Sequence, residues 1–477
     1  MLHASPTDEN VVYAIFNNHR SGDFKPYVYK SLDQGKSWTS ISGDLPERGS
    51  AYAIRQDHVD PNLLFVGTEF GCYFSKDGGK KWLKLGGLPT IAIYDLDIQK
   101  RENDLVAASF GRGFYVLDNY SPLREMTDEN LNKKAHLFPV KEALLYVPSA
   151  PLGLTGTGSQ GADLYAAENP AFGAVFTLYL KDEYKTLAEI RKEKEKELEK
   201  DNKDVFYPSI TEIREEKNDE KATLVWIIRN ADGQEIKRIK TSPIKGTSRT
   251  VWNLRKESTS PITLNKRKPG RYEDPDDGFL VTAGDYTVEV HLIKNGVSEQ
   301  LIHETLFKVK ALNNQTLIAE NPEELDAFRS EVAEYSRKIS GTGRLIQETN
   351  EKLRLIEEAI ISYPNADLNL LKEARAINLQ INDCEKALWG DRVLSSLEIE
   401  TLPSIASRLG ITEYSLVANT TGVTQTQQNN LQLVAEQYAA MRIKLDDSIK
   451  RLKVLTDKLD LVPIPYTKGA NEEWKED

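Results

Sequence analysis

Cysteine is almost absent from this chain: 477 residues contain only Cys72 and Cys384. Two thiols so far apart exclude a disulfide scaffold and a cysteine-based zinc site. The six histidines are scattered, without a His-x-x-x-His pair, so no metal site is expected. Positive charge is also short. Lys plus Arg is 62 against 73 Asp plus Glu, a formal charge of −11, and no basic block offsets it. The longest charge run, 191–203, mixes both signs, which argues against a nucleic-acid partner. No stretch approaches the ~18 uninterrupted apolar residues of a membrane span. The first ten residues offer neither a basic nor an apolar segment of a signal peptide. Nucleophile elbows, P-loops and dinucleotide fingerprints are missing, so no cofactor is expected.

What is present suits a core-forming protein of two to four domains, with 39% hydrophobic and 28% charged residues. Three segments near the N-terminus, 11–46, 63–89 and 104–119, align with one another. The first two share an apolar strand, a second strand, an octet and a Leu-Pro exit. The octets are Ser31-Leu-Asp33-Gln-Gly35-Lys-Ser-Trp38 and Ser75-Lys-Asp77-Gly-Gly79-Lys-Lys-Trp82, both reading S-x-D-x-G-x-x-W. Tyr29, Tyr73 and Tyr115 hold equivalent places at spacings of 44 and 42. Such a period, with four short strands per unit, marks propeller blades. Each octet makes sense as hairpin chemistry. Ser and Asp hold the turn backbone, Gly supplies a positive φ, and Trp plugs the loop onto its own blade.

The octet resembles the Asp-box, or BNR repeat, of sialidases, some endoglucanases and the sortilin (VPS10) propellers. The likeness is nearest to large bacterial sortilin-like proteins, often labelled glycosyl hydrolases. It rests on His19-Arg-Ser-Gly-Asp-Phe-Lys-Pro-Tyr27, Leu64-Phe-Val-Gly-Thr-Glu-Phe-Gly71, Asn103-Asp-Leu-Val106 and Gly111-Arg-Gly-Phe-Tyr-Val-Leu-Asp118. It continues through Asn169-Pro-Ala-Phe-Gly-Ala174 and Val251-Trp-Asn-Leu-Arg255. One departure is Phe110, where such proteins usually carry His. The resemblance implies a periplasmic or extracellular location for the full-length protein and a carbohydrate or peptide ligand.

The strand count predicts the C-terminal blades of a propeller over 1–147. The second unit has four strands, at 52–56, 63–68, 71–75 and 82–85. A third unit is built from 94–98, 105–109, 114–117 and a last strand within 136–147. The first unit lacks its opening strand, because residues 1–10 are polar and short. About two and three-quarter blades stand against a minimum of ~4 for closure, so further N-terminal blades are expected as partners.

A Gly/Pro linker follows at 148–168. Six strand-length segments over 169–311, with Asp232-Gly233 and Asn295-Gly296 between consecutive strands, predict an immunoglobulin-like β-sandwich. A charged helical insertion interrupts it at 183–220. Over 319–463 the apolar period becomes helical and predicts an antiparallel α-helical bundle. It has three long helices, seam slips at Thr342 and Thr349, and a shorter helix at 395–409. Residues 464–477 read as a polar tail.

Propeller ligand sites lie on loops at one end of the channel. Loops after comparable strands carry His19, Arg20, Asp23, Lys25 and Tyr27, then Glu69 and Phe70, then Phe110 and Arg112. This set mixes cation, carboxylate and aromatic faces, as a sugar or peptide pocket does. Glu69 and Arg112 could alternatively pair as an inter-blade salt bridge. The octet residues Ser31, Asp33, Gly35, Trp38, Ser75, Asp77, Gly79 and Trp82 read as structural rather than catalytic. Two functions stay open: a glycan- or peptide-binding protein, and an exported glycoside hydrolase. The catalytic residues of the second are not identifiable from the chain, because it needs a carboxylate pair at a set distance.

Overall fold

A computed structural model of the chain describes residues 1–148, 167–264, 278–417 and 419–459. The expected linker lies almost wholly, and the polar tail wholly, outside the described residues. Among these residues no helix is long and apolar enough to cross a membrane.

Three antiparallel meanders open the chain. The first is β1 (Leu2–Ala4), β2 (Val12–Asn18), β3 (Asp23–Ser31) and β4 (Thr39–Ser40), hydrogen-bonded in that order. The second is β5 (Ala51–Gln56), β6 (Leu64–Thr68), β7 (Gly71–Ser75) and β8 (Leu83–Lys84). The third has only β9 (Ile93–Gln99), β10 (Asp104–Ser109) and β11 (Phe114–Leu117). Their order and packing are compatible with part of a β-propeller.

The second sheet is apolar on both faces because it is covered on both. Ile54, Leu64 and Val66 pack with Tyr13, Ile15 and Val28 of the first sheet. Ala53, Phe65 and Phe74 pack with Ile93, Leu96 and Leu105 of the third. Just past β5 of the second sheet, a buried Asp57 fixes the chain as it leaves the third. Its carboxylate accepts from Arg124 Nε at 2.7 Å and Nη2 at 2.8 Å, and from Tyr120 Oη at 2.5 Å.

Two expectations are corrected here. Residues 1–10 do carry a strand: Leu2, His3 and Ala4 pair with Ala14, Tyr13 and Val12. Three residues suffice because β2 offers an open edge and the N-terminal ammonium donates to the Ile15 carbonyl at 2.8 Å. Conversely, 136–147 does not complete the third sheet. Helix α1 (Asp128–Asn132), capped by the Thr127 side chain, redirects the chain. Strands β12 (Ala135–Leu137) and β13 (Ala143–Leu145) then join the next unit, where Leu137 and Leu145 are buried.

That unit is two sheets around one core. The smaller has β14 (Ala174–Leu180) between β12 and the later β17 (Gly246–Trp252). After β14, helices α2 (Leu187–Lys200) and α3 (Ile210–Asn218) form the charged insertion, each opened by a reciprocal capping box. The larger sheet runs β13-β19-β18-β15-β16, with β15 (Thr223–Asn230), β16 (Glu235–Thr241), β18 (Gly284–Lys294) and β19 (Val297–Ala311). β13 pairs with β19 in parallel. Phe176, Trp226, Trp252 and Phe307 fill the space between the sheets. Both indoles find acceptors there, Trp226 at Thr241 Oγ1 and Trp252 at the Arg255 carbonyl, each at 2.9 Å.

The last unit packs α4 (Pro322–Ser362), α5 (Leu370–Trp389), α7 (Ile405–Val417) and α8 (Gln425–Leu459) around a common core, with the short α6 (Arg392–Ser396) between α5 and α7. Asn321 caps α4 by accepting from the Glu323 and Glu324 amides. The slips at Thr342 and Thr349 stay on the buried seam, with their hydroxyls paired to Tyr438 Oη at 2.9 Å and the Leu345 carbonyl at 2.6 Å. The helix expected at 395–409 is displaced to α7. Pro403 bars helix on its N-terminal side, and Ser404 Oγ accepts the Ser407 amide to start it.

The two octet tryptophans are unequal: Trp38 is 41% exposed and Trp82 is 5% exposed. We predict that Trp82→Ala costs ~3–5 kcal/mol, as deep aromatic truncations do, whereas Trp38→Ala costs about 1 kcal/mol or less. Urea midpoints of the two variants check this.

Candidate functional site

The meander sets which loops meet. The β2–β3, β6–β7 and β10–β11 turns emerge at one end of the three sheets, and both octet turns emerge at the other. At the octet end, Ser31 Oγ donates to Asp33 Oδ1 at 2.7 Å and accepts the Gly35 amide at 2.8 Å. Ser75 repeats this with Asp77 and Gly79, at 2.8 Å in both bonds. Asp33 also accepts the Ser37 hydroxyl and amide, and these bonds hold its carboxyl down at about 2. Trp38 donates to its own turn, at the Gly35 carbonyl. Trp82 does not follow that expectation: it reaches the preceding sheet, donating Nε1 to the Ile41 carbonyl at 3.0 Å.

At the opposite end the sequence-predicted residues spread over three turns. His19 lies exposed in the short turn of helix at His19–Ser21. Asp23 accepts Tyr27 Oη at 2.6 Å and the Lys25 amide at 3.2 Å. The phenol bond is the main reason the Asp23 carboxyl is lowered and the Tyr27 phenol raised. Phe70 is partly exposed and closes against Gly49, whose φ of +133° and missing side chain admit the ring. Arg112 is exposed. No ion pair joins Glu69 to Arg112 among the described residues, so that inter-blade bridge is not formed.

Phe110, nominated with the loop residues, does converge with others, but its partners Tyr52 and Tyr94 were not nominated from the sequence. Tyr52 and Tyr94 stand second in the opening strands of sheets two and three. Their rings meet edge to face at 4.4 Å, and Tyr94 meets Phe110 at 5.3 Å. Burial raises the Tyr52 phenol, with further contributions from Tyr94 and Glu69. Tyr94 is 45% exposed and Phe110 is 65% exposed, so ring surface remains open. One residue on, Asp95 Oδ1 lies 3.2 Å from Arg55 Nη2, and Asp97 Oδ1 lies 3.7 Å from Arg55 Nε. A signal was available: Tyr52 and Tyr94 are 42 residues apart, the repeat spacing itself. Asp95, Asp97 and Gln99 also alternate with Leu96 and Ile98 along the edge strand β9.

Among solved structures, an ancestral GH74 enzyme matches with 27% identity over 24% of this chain and 13% of its own, at a TM-score of 0.20. A GH74 enzyme of Niastella koreensis matches with 14% identity over 25% of this chain and 20% of its own, at 0.22. YCF48 bound to D1 peptide matches with 21% identity over 24% of this chain and 34% of its own, at 0.19. The chain thus spans about a third or less of the length of these neighbours. No family model and no curated protein matches it.

The lowered Asp33 carboxyl gives a pH prediction. A folded value near 2 against the ordinary 3.8 stabilises the first turn above pH 3.8, and this is lost as pH falls towards 2. Thermal melts of Asp33→Asn should therefore depend less on pH between 4 and 2 than those of the parent.

Proposed function

We propose that the three N-terminal sheets belong to a sortilin-like Asp-box propeller that binds a glycan at the end carrying Tyr52, Tyr94 and Phe110. The carrying observation is the aromatic row shared by two sheets, with open ring surface beside charged groups. Sugar rings lay apolar C–H faces on aromatic rings, and their hydroxyls need charged or amide partners to fix orientation. Asp95 and Asp97 supply acceptors beside that row, and Glu69 lies close to Tyr52. Asp23, Tyr27, His19, Lys25, Phe70 and Arg112 extend the same end towards the outer turns.

On this reading the ring is completed by further antiparallel sheets, and the full-length protein works in the periplasm or outside the cell. The two-sheet unit, read as an immunoglobulin-like sandwich, and the helices, read as an antiparallel bundle, act as spacer or docking modules. The second reading is glycoside hydrolysis. It is favoured only by Asp95 and Asp97 lying together beside the aromatic row. Both face Arg55, which orients them as acceptors for ligand hydroxyls.

Calorimetric titration with a panel of soluble oligosaccharides tests the proposal, with reducing ends assayed in parallel. Tyr94→Ala and Phe110→Ala should each weaken glycan binding roughly 5–30-fold, about 1–2 kcal/mol, with little change in melting temperature. Peptide binding without glycan binding would defeat the reading. Release of reducing ends, abolished in Asp95→Ala, would replace it with hydrolysis.

A further inference from the structure

The hydrogen-bond registers of the three stacked sheets show which of their faces stay uncovered. In the second sheet Ile54, Val66 and Tyr73 stand abreast and pack against the first sheet. The matching row of the first sheet is Leu2, Ala14 and Tyr29, since Tyr29 and Tyr73 each stand two residues before an octet serine. Tyr13 and Ile15 alternate with Ala14 and face the second sheet, so this row points away from it. The next row of the second sheet, Arg55, Phe65 and Phe74, turns Phe65 and Phe74 towards the third sheet. Its counterpart in the third sheet is Asp97, Val106 and Val116, which points outward.

Each sheet thus has two unlike faces, and the chain joins them twice in one order. The leading face of the second sheet receives the first, and the leading face of the third receives the second. What stays uncovered is one face of each kind: the leading face of the first sheet and the trailing face of the third. Leu2 and Phe16 are exposed on the former, Phe114 and Val116 on the latter. The two are complementary by the same rule that the chain already applies within itself.

We propose that a second copy of this chain covers both faces, the first sheet of each copy packing on the third sheet of the other. The two contacts are equivalent under a two-fold axis, the commonest symmetry of soluble oligomers. Two copies bring six sheets, within the range of about four to eight for closed propellers, whereas three copies bring nine. At about 4.8 Å between strands and about 3.4 Å per residue, a face of four five-residue strands covers about 300 Å². Two junctions bury four such faces, about 1,200 Å², which reaches the range of specific interfaces. The inference deepens the propeller reading above and rests on it, naming the source of the further sheets. It also sets the second copy's β1 beside Asp95 and Asp97, so that the candidate site is completed across the dimer.

Sedimentation equilibrium of the full chain over a concentration series tests the proposal. The parent should show twice its 53.8 kDa. Leu2→Glu and Val116→Lys each put a charge on one exposed face, and each should fall to the single mass while keeping the parent's circular dichroism. Mixing the two variants should restore the doubled mass, because one junction is then unaltered on both sides and the other sets Glu near Lys. Should Leu2→Glu fail to fold, Phe16→Glu takes its place on the same face. A parent at the single mass, a mass that climbs without limit, or a doubled mass that persists in either variant would overturn the dimer. Oligosaccharide binding by a single-mass parent would sink the dimer and leave the glycan reading standing; a doubled mass without such binding would do the reverse.

Discussion

The N-terminal unit of three sheets depends on one close approach, between the octet turn of the second sheet and the loop leaving the first. A side chain at Gly79 would stand 2.8 Å from Ile41 Cβ, and one at Gly43 would stand 2.6 Å from the Lys80 carbonyl oxygen. Two glycines at this contact let the backbones meet. Trp82 then seals the junction, with its indole donating to Ile41 and its amide to Asp44 Oδ1 at 2.6 Å. The Ser-Asp-Gly network shapes the turn, but the tryptophan carries the contact to the neighbouring sheet. Stacking, rather than any single sheet, makes this unit stable, since an isolated meander leaves an apolar face in water.

Much of this was legible in the chain because local chemistry fixed it. The octets state their own hydrogen bonds. Asn295 and Gly296, at φ of +50° and +72°, do what an Asn-Gly pair between strands announces. The helical seams survive at Thr342 and Thr349 because a hydroxyl can turn back to a carbonyl or meet a phenol. What escaped were pairings set by distant partners. β1 forms because an edge awaits it, and β12 and β13 leave the third sheet because a larger apolar core lies beyond. The aromatic row was only partly legible for a similar reason. Phe110 stood among the loop residues and Tyr52 and Tyr94 share the repeat spacing, but the three rings meet only once two sheets are stacked.

A half-buried and a buried cation show how differently one residue type is used. Arg124 meets Asp57 in a two-pronged pair with Tyr120 alongside, so its charge is compensated where it is desolvated. That pair ties the exit segment to the sheets and leaves little unsatisfied. Arg329 is ringed by carbonyls from two units, which orient it without neutralising it. The first arrangement is complete within the chain. The second ties the two units together through carbonyl acceptors.

The same contrast between complete and incomplete burial runs along the stacked sheets. Ile54, Val66, Ala53 and Phe65 of the middle sheet are fully buried on either side. On the outward face of the third sheet Phe114 and Val116 are 76% and 55% exposed, and on that of the first Leu2 and Phe16 are 69% and 58% exposed. β-Sheets with apolar residues on both faces are built to be covered on both. Trp38 belongs to the same pattern: its counterpart Trp82 packs on the loop of a preceding sheet, whereas Trp38 turns back on its own octet. Both outer faces thus keep the chemistry of an inner one. Asp95 and Asp97 lie on the outward side of the third sheet, in register with Ala108 and Val106. The charged part of the candidate site and the exposed apolar face are therefore one surface.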